Sequence, residues 1–347
     1  MRRQAEQLSV AAQGLKFTSF AVGGGTPLIL DEGQLEELFC LAELFGVHPS
    51  RVFTSVETSP EYTQKSVLRQ LRARGVERLS MGVQSFNETE LKKLKRRSGL
   101  GTVVGALENI VEAGFPQFNL DLIYGIEGQT VESFMRSLNT ALTYRPNELF
   151  IYPLYVRPGT RIDVRSTDDI GYAIYKSARE LLVGQGFVQT SMRRFVRRET
   201  TETEFSCGDE VMLSCGAGGR SYLGNLHYAT PYAVRQQAIA DEIDHYIRTT
   251  DFMTAANGFL LSTEEMQIRF IIKNLMYHRG VDLAEYEKRF GEKPDRNLFR
   301  EFTDRGWIEE TGRIVRLTEE GMAYSDYIGQ AFISPAVRKL MSEYVYP

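Results

Sequence analysis

Arg78-Leu79-Ser80-Met81-Gly82-Val83-Gln84 reads as a strand with two unlike faces. Side chains along a strand point alternately to opposite sides, so Leu79, Met81 and Val83 share one face and Ser80, Gly82 and Gln84 the other. A later stretch repeats the pattern, with Phe118, Leu120 and Leu122 opposed to Asn119 and Asp121. Parallel strands covered on both sides read as unbroken apolar runs. Strands that are apolar on one side and small or polar on the other suit helices outside and a wet, ligand-holding lumen inside. Glu57, Gln84 and Asp121 fall at or near the carboxyl ends of their strands, where ligands of α/β sheets and barrels gather.

Outward from there, strand-like stretches recur at 15–22, 52–57, 78–84, 118–123 and 149–154. Helical patterns lie between them at 33–45, 62–74 and 103–113; in the first, Leu35, Leu38, Phe39, Leu41, Ala42 and Phe45 mark the apolar side. This alternation predicts βαβ units and a parallel sheet. An open doubly wound sheet and a closed or partly closed barrel both satisfy it, and the polar strand faces favour the barrel. After Asp169 the rhythm changes to a helix over 172–182, an apolar stretch 187–195 and a polar one 197–204. The tail from about Leu261 reads as a separate helical unit. Ser262-Thr263-Glu264-Glu265 predicts a capping box before a helix over 266–277. Residues 297–304 then lead to Trp307-Ile308, a turn at Gly312 and a strand over 314–317. A helix followed by a small hairpin resembles a winged-helix unit. The expected divisions are 1–165, 166–258 and 259–347.

The 347 residues, 42% hydrophobic and 25% charged, suffice for one large domain or two unequal ones. A net charge of -4 gives no reason to expect nucleic acid or an anionic membrane as partner. Charges nearly balance over 282–318, which argues against a DNA-reading winged helix. No run approaches 18 apolar residues, so a spanning helix is not expected. The basic start has no apolar stretch behind it and does not support a secretory signal. Cys40, Cys207 and Cys215, irregularly spaced, make no disulfide framework and fit a reducing cytoplasm. The four histidines show no metal spacing.

Gly23-Gly24-Gly25-Thr26-Pro27 follows a strand. Three glycines let the backbone approach a ligand and leave amides and carbonyls bare; a tight turn into a helix is the plainer reading. The spacing fits neither a dinucleotide fingerprint nor a P-loop. Glu57, Gln84 and Asp121, at the same end of three successive strands, need shared partners if buried. A ligand with an ammonium, hydroxyls and a base would supply them.

These residues, with Pro60, Gly82-Val83-Gln84-Ser85-Phe86, Arg96, Asn119-Leu120-Asp121-Leu122-Ile123-Tyr124-Gly125 and Arg157-Pro158-Gly159-Thr160, carry a resemblance. Residues 15–161 resemble the radical S-adenosylmethionine (SAM) superfamily, in its oxygen-independent coproporphyrinogen III oxidase family. The resemblance implies an α/β fold, a partial (β/α)6-type barrel lacking its first strand, with a smaller helical, winged-helix-like C-terminal domain. Gly24, Gly25 and Thr26 would hold the methionyl part of SAM, Glu57 the same cofactor, and Gln84, Arg96 and Asp121 a second SAM. A [4Fe–4S] cluster is implied too, on a Cys-x3-Cys-x2-Cys loop preceding Gly23 by some tens of residues. The chain is expected to begin after that loop, and its own cysteines are not expected to replace it. No metal ligand and no catalytic side chain is therefore assigned.

The implied activity is 5′-deoxyadenosyl radical formation and hydrogen abstraction from a tetrapyrrole-like small molecule, in the cytoplasm, with a flavodoxin or ferredoxin as electron donor. A haem-binding chaperone and a radical SAM methyltransferase or cyclopropanase are the alternatives. Glu127, Thr58-Ser59-Pro60 and the whole of 205–222 depart from the family pattern, so the substrate half diverges. Arg193 and Arg194, near Arg197 and Arg198, are expected to clamp substrate carboxylates such as propionates; a solvated charged loop is the alternative.

Overall fold

A computed structural model of the chain describes residues 1–156, 168–197, 211–231, 233, 235–255 and 257–344. Strands β1 (Ser19–Val22), β2 (Phe53–Thr58), β3 (Arg78–Gln84), β4 (Gln117–Tyr124) and β5 (Glu148–Pro153) pair side by side in chain order, all parallel. The helices of this half are α1 (Arg2–Ala11), α2 (Glu32–Glu43), α3 (Lys65–Arg74), α4 (Glu88–Lys93), α5 (Leu100–Ala113), α6 (Val131–Thr143) and α7 (Asp168–Gly184). The expected α/β architecture with a mostly parallel central sheet is present. It departs from a regular barrel at its far side. Residues 187–195, read as one stretch, fold as a hairpin of β6 (Phe187–Gln189) and β7 (Arg194–Arg197). Ser191 makes the reversal: its hydroxyl accepts from the Arg194 amide at 3.2 Å. The strand next to β5 is therefore β7, antiparallel, and the order is β1-β2-β3-β4-β5-β7-β6.

The outer face is the apolar one. Leu79, Met81, Leu120, Leu122, Leu149 and Ile151 are fully buried, in one cluster with Leu68 and Leu71 of α3, Leu107 of α5 and Leu138 of α6. Each such leucine contributes about 1.5–3 kcal/mol. The inner face is polar and solves its needs internally at the floor. Glu148, 2% exposed, accepts from Arg78 Nε at 2.7 Å and from Arg194 Nε. Arg78 Nη1 also donates to Ser55 Oγ at 2.9 Å. One carboxylate thus neutralises two buried guanidiniums from strands on either side of it.

A second sheet was not foreseen. Strands β8 (Val211–Met212), β9 (Arg220–Leu223), β10 (Leu226–Ala229) and β11 (Gly258–Leu260) pair antiparallel in the order β11-β10-β9-β8, with α8 (Gln236–Arg248) inserted before β11. Helix α1 fastens to this unit through Gln4, whose carbonyl accepts from the Gly216 amide and from Tyr246 Oη. The tail has the winged-helix order: α9 (Thr263–Leu275), β12 (Val281–Asp282), α10 (Leu283–Phe290), α11 (Asn297–Asp304), β13 (Ile308–Thr311) and β14 (Ile314–Leu317). The capping box forms only in part. Ser262 caps the Glu265 amide, but the Glu265 carboxylate takes the Ser334 hydroxyl instead of closing the box. Arg179 with Glu319, and Tyr172 with Glu320, tie the tail to α7. No helix among the described residues is long and apolar enough to cross a membrane.

Removing the Glu148 carboxylate leaves two buried cations without an anion. Breaking a buried pair costs about 3–5 kcal/mol, so Glu148→Ala should lose that much in urea unfolding. Replacing Arg78, Glu148 and Arg194 together by Met, Leu and Met should recover most of it. A loss under about 1 kcal/mol for the single variant would contradict the internal ion-pair account.

Candidate functional site

The loop after β1 shows why it carries three glycines. A Cβ on Gly23 would lie 2.9 Å from Glu57 Cδ, so the first glycine makes room for that carboxylate. Gly24 and Gly25 have φ of +80° and +61°, a region that L side chains rarely adopt, and a Cβ on either would meet nothing within 4 Å. The Gly24 amide donates to Glu57 Oε2 at 3.2 Å. Bare backbone and an exposed carboxylate thus meet beside open space. Thr26, extended, leads into the short turn Pro27–Ile29.

The inner face of β3 ends in a distortion. Its register against β4 slips between Gly82 and Gln84, and Gln84 adopts φ +74°. The carboxamide folds back over Gly82, with Nε2 2.4 Å from where a Cβ would stand. A side chain at 82 would push the Gln84 carboxamide out of this position. On β4, Asn119 Nδ2 donates to Ser80 Oγ and to Asp121 Oδ1, both at 2.7 Å, while its own buried Oδ1 has no partner. Burial pushes the Asp121 carboxyl up to about 7; the Asn119 bond and Arg78 oppose the rise, and Glu57 and Glu148 add to it. Arg96, beyond α4, is lowered by burial and held up by the charges of Glu61 and Asp121. Among the described residues it forms no ion pair, so the plain Asp121–Arg96 salt bridge is not made. Glu61 is lowered overall: burial raises it, but bonds from Ser98, its own backbone and Ser59, with Arg96 nearby, prevail.

The structure therefore gathers Gly24, Gly25, Glu57, Gln84 and Asp121 on one inner face, with Arg96 in the field of Asp121. It does not gather the arginine clamp. Arg193 and Arg194 are chain neighbours and diverge. Arg194 belongs to the floor, 7% exposed and bound to Glu148. Arg193 goes to the rim, donating to Tyr155 Oη at 2.5 Å and Asp326 Oδ1 at 2.6 Å, with its guanidinium 5.2 Å from the Tyr155 ring centre. Arg157-Pro158-Gly159-Thr160, Arg198, Cys207 and residues 205–210 of the divergent stretch lie outside the described residues. Sequence reasoning missed Arg78, Glu148 and Tyr152 as inner-face groups. Arg78 shares parity with Ser80, and Glu148 stands one residue before the expected strand, so alternation alone could have found both.

Residues 1–141 match the Radical SAM superfamily, and residues 261–324 match the HemN C-terminal domain. A heme chaperone HemW of Bacillus subtilis (strain 168) is 27% identical over 334 residues, covering 90% of this chain and 84% of the relative. An oxygen-independent coproporphyrinogen III oxidase of Salmonella typhimurium is 35% identical over 292 residues, covering 78% of this chain and 62% of that one. The solved coproporphyrinogen III oxidase HemN of Escherichia coli superposes with a TM-score of 0.81 at 22% identity, over 95% of this chain and 81% of that one, which is a match of fold. The chain thus carries a Radical SAM domain and a HemN C-terminal domain, on the fold of HemN.

The superfamily's cofactors are SAM and a [4Fe–4S] cluster, and the chain meets them differently. The bare Gly24–Gly25 backbone and, among the described residues, the unpartnered Asn119 carbonyl and the unpaired Arg96 fit a polar, partly charged ligand such as SAM. For a cluster the described residues offer no group of three His, Cys, Asp or Glu, and Cys40 and Cys215 stand apart and exposed.

Asp121 gives a pH test. Between the ordinary carboxylate range and about 7, folded Asp121 keeps a proton that the unfolded chain has lost. Its contribution is present at low pH and lost as pH rises through about 7. Asp121→Asn should match the parent near pH 4 and exceed it at pH 8, by on the order of 1–3 kcal/mol once water in the lumen is allowed for. Denaturant unfolding across that range is the measurement; a difference that does not change with pH would contradict it.

Proposed function

We propose that this protein binds SAM on the inner face of its sheet and uses that site in handling a tetrapyrrole. The observation that carries the reading is the pairing of bare Gly24–Gly25 backbone with the Glu57 carboxylate across β1 and β2. Gly24, Gly25 and Thr26 would hold the amino-acid end of SAM, with Glu57 fixing the Gly24 amide. Gln84 and Asp121 would take donors of the ligand, and Arg96 its carboxylate; a second SAM or the substrate would fill the same volume. Bound there, SAM would supply an activated sulfonium carbon. The chain's own part is to hold the ends of that molecule and keep Asp121 ready to accept from a hydroxyl or ammonium.

Between the two tetrapyrrole roles, we rank haem carriage first. The relatives named heme chaperone HemW in Bacillus subtilis and Lactococcus lactis align over 90% and 92% of the chain and 84% and 85% of their own length, while the Escherichia coli HemW is covered to 57%. The enteric oxidases are covered to 62% of their length in sequence, and the solved HemN to 81% in fold. The oxidase reading keeps one specific support, the 35% identity of the Salmonella typhimurium enzyme. The cytoplasm is the setting we infer from the cysteine usage.

Isothermal titration of the purified chain with SAM tests the site. Gly24→Leu and Glu57→Ala, each folded by circular dichroism, should bind at least about tenfold more weakly than the parent; equal affinity in both variants would remove the reading. Haem titration separates the roles. A saturable Soret change, with coproporphyrinogen III left unconverted under anaerobic conditions, is the expected result. Protoporphyrinogen formation would restore the oxidase to first rank.

A further inference from the structure

Beside the inner face sits a buried carboxylate that pairs with no cation among the described residues. Glu90 of α4 is 4% exposed, and its partners are neutral. Ser85 Oγ donates to Oε2 at 2.6 Å, Gln129 Nε2 to the same oxygen at 2.9 Å, and Ser133 Oγ to Oε1 at 2.7 Å. A carboxylate removed from water is costly unless its lone pairs are filled. Here three donors fill them, one from the exit of β3 and two from the exit of β4.

Those exits are the segments that leave the site. Ser85 is the first residue beyond β3, Gln129 lies in the turn beyond β4, and Ser133 stands in the first turn of α6. Gln129 carries the connection further: its Oε1 accepts from the Gly125 amide at 2.8 Å and the Ile126 amide at 3.4 Å, and its Nε2 donates to the Ile123 carbonyl at 3.3 Å. On the other side Ser85 Oγ accepts from the Asn87 amide at 2.9 Å, and the Phe86 amide donates to Ser137 Oγ at 3.1 Å. Glu90 is therefore where the exits of two adjacent strands are joined.

The exit of β3 needs holding. Gln84, immediately before Ser85, is one of three described non-glycine residues with positive φ, and it is the one among them on the inner face. A left-handed backbone at a side-chain-bearing residue is a sparsely populated conformation that surrounding contacts must enforce. The next residue, Ser85, is 1% exposed, and its hydroxyl is spent on Glu90.

We propose that Glu90 is a positioning residue: by holding Ser85 it fixes the left-handed backbone of Gln84, so that the Gln84 carboxamide and Asp121 face one ligand from neighbouring strands. The proposal rests on the reading that the inner face binds SAM. Glu90 does not touch the ligand; it acts through Gln84.

The experiment is a double-mutant cycle on SAM affinity, paired with amide hydrogen exchange. Glu90→Gln, close in shape, should weaken SAM about tenfold, through loss of charge-assisted hydrogen bonds. In a Gln84→Ala background the same change should cost less than about twofold, because the group it positions is gone. Exchange in Glu90→Gln should quicken over 84–91 and 123–133 together and stay unchanged in β1, β2 and the winged-helix tail. Ser85→Ala should reproduce both effects and serves if Glu90→Gln fails to fold. An equal loss of affinity with and without Gln84, or unchanged exchange over 84–91, overturns the proposal. If the parent binds no SAM, the lumen reading fails by itself, and the exchange arm still decides whether Glu90 joins the two exits.

Discussion

A sheet that is apolar outside and polar inside must find partners for every inner polar group, and it finds them in two different ways. At the floor the partners are internal: Glu148 answers Arg78 and Arg194, and Ser55 answers Arg78 again. Toward the carboxyl ends the internal partners run out. Along β4, Asn119 spends both amide hydrogens and leaves its carbonyl unmatched, and Asp121, one step further, has a single bond and a carboxyl pushed up to about 7. Unmet hydrogen-bonding capacity in a buried place costs free energy unless something else fills it. The gradient along one strand, from paired to unpaired, is what marks the site.

The motif glycines follow from the same constraint. Gly23 and Gly82 are not there for backbone freedom; each stands where a neighbouring polar side chain, Glu57 or Gln84, occupies the space of a Cβ. Gly24 and Gly25 are different, with left-handed backbone and open space before them. A tight turn would explain left-handed glycines by itself. It does not explain why the turn is closed by a carboxylate from the next strand, through a bond that leaves Glu57 exposed.

Much of this was legible because parity in a strand is a strong rule. Alternation in 78–84 and 118–123 assigns Gln84, Asn119 and Asp121 to the inner face, and the limits of β2 to β5 differ from those read by at most one residue, while β1 is shorter than read. The same rule was not applied to Arg193 and Arg194, whose adjacency already sends them to opposite sides. The hairpin at 187–197 read as one stretch because both its arms carry apolar residues, Phe187 and Val188 on one and Phe195 and Val196 on the other, with Val188 opposite Val196. The sheet of β8 to β11 was out of reach for another reason: strands of two to four residues are too short to show a period. Glu90 was hidden too, since a glutamate in the first turn of a helix ordinarily reads as a solvated partner of the helix dipole.

The divergence of Arg193 and Arg194 changes what the rim can offer a substrate. Arg193 is engaged with Asp326 and Tyr155, so a carboxylate arriving there must displace an anion already in contact, and Tyr155, raised by burial, stays a neutral donor to Asp326. Arg96 carries no such partner among the described residues, and its nearest carboxylates act on it only through their field. An incoming carboxylate therefore gains more at Arg96, where no ion pair has to be broken first. Of these three arginines, Arg96 is the one without an ion pair among the described residues, while Arg194 is committed to the floor of the sheet and Arg193 to Asp326 of the tail.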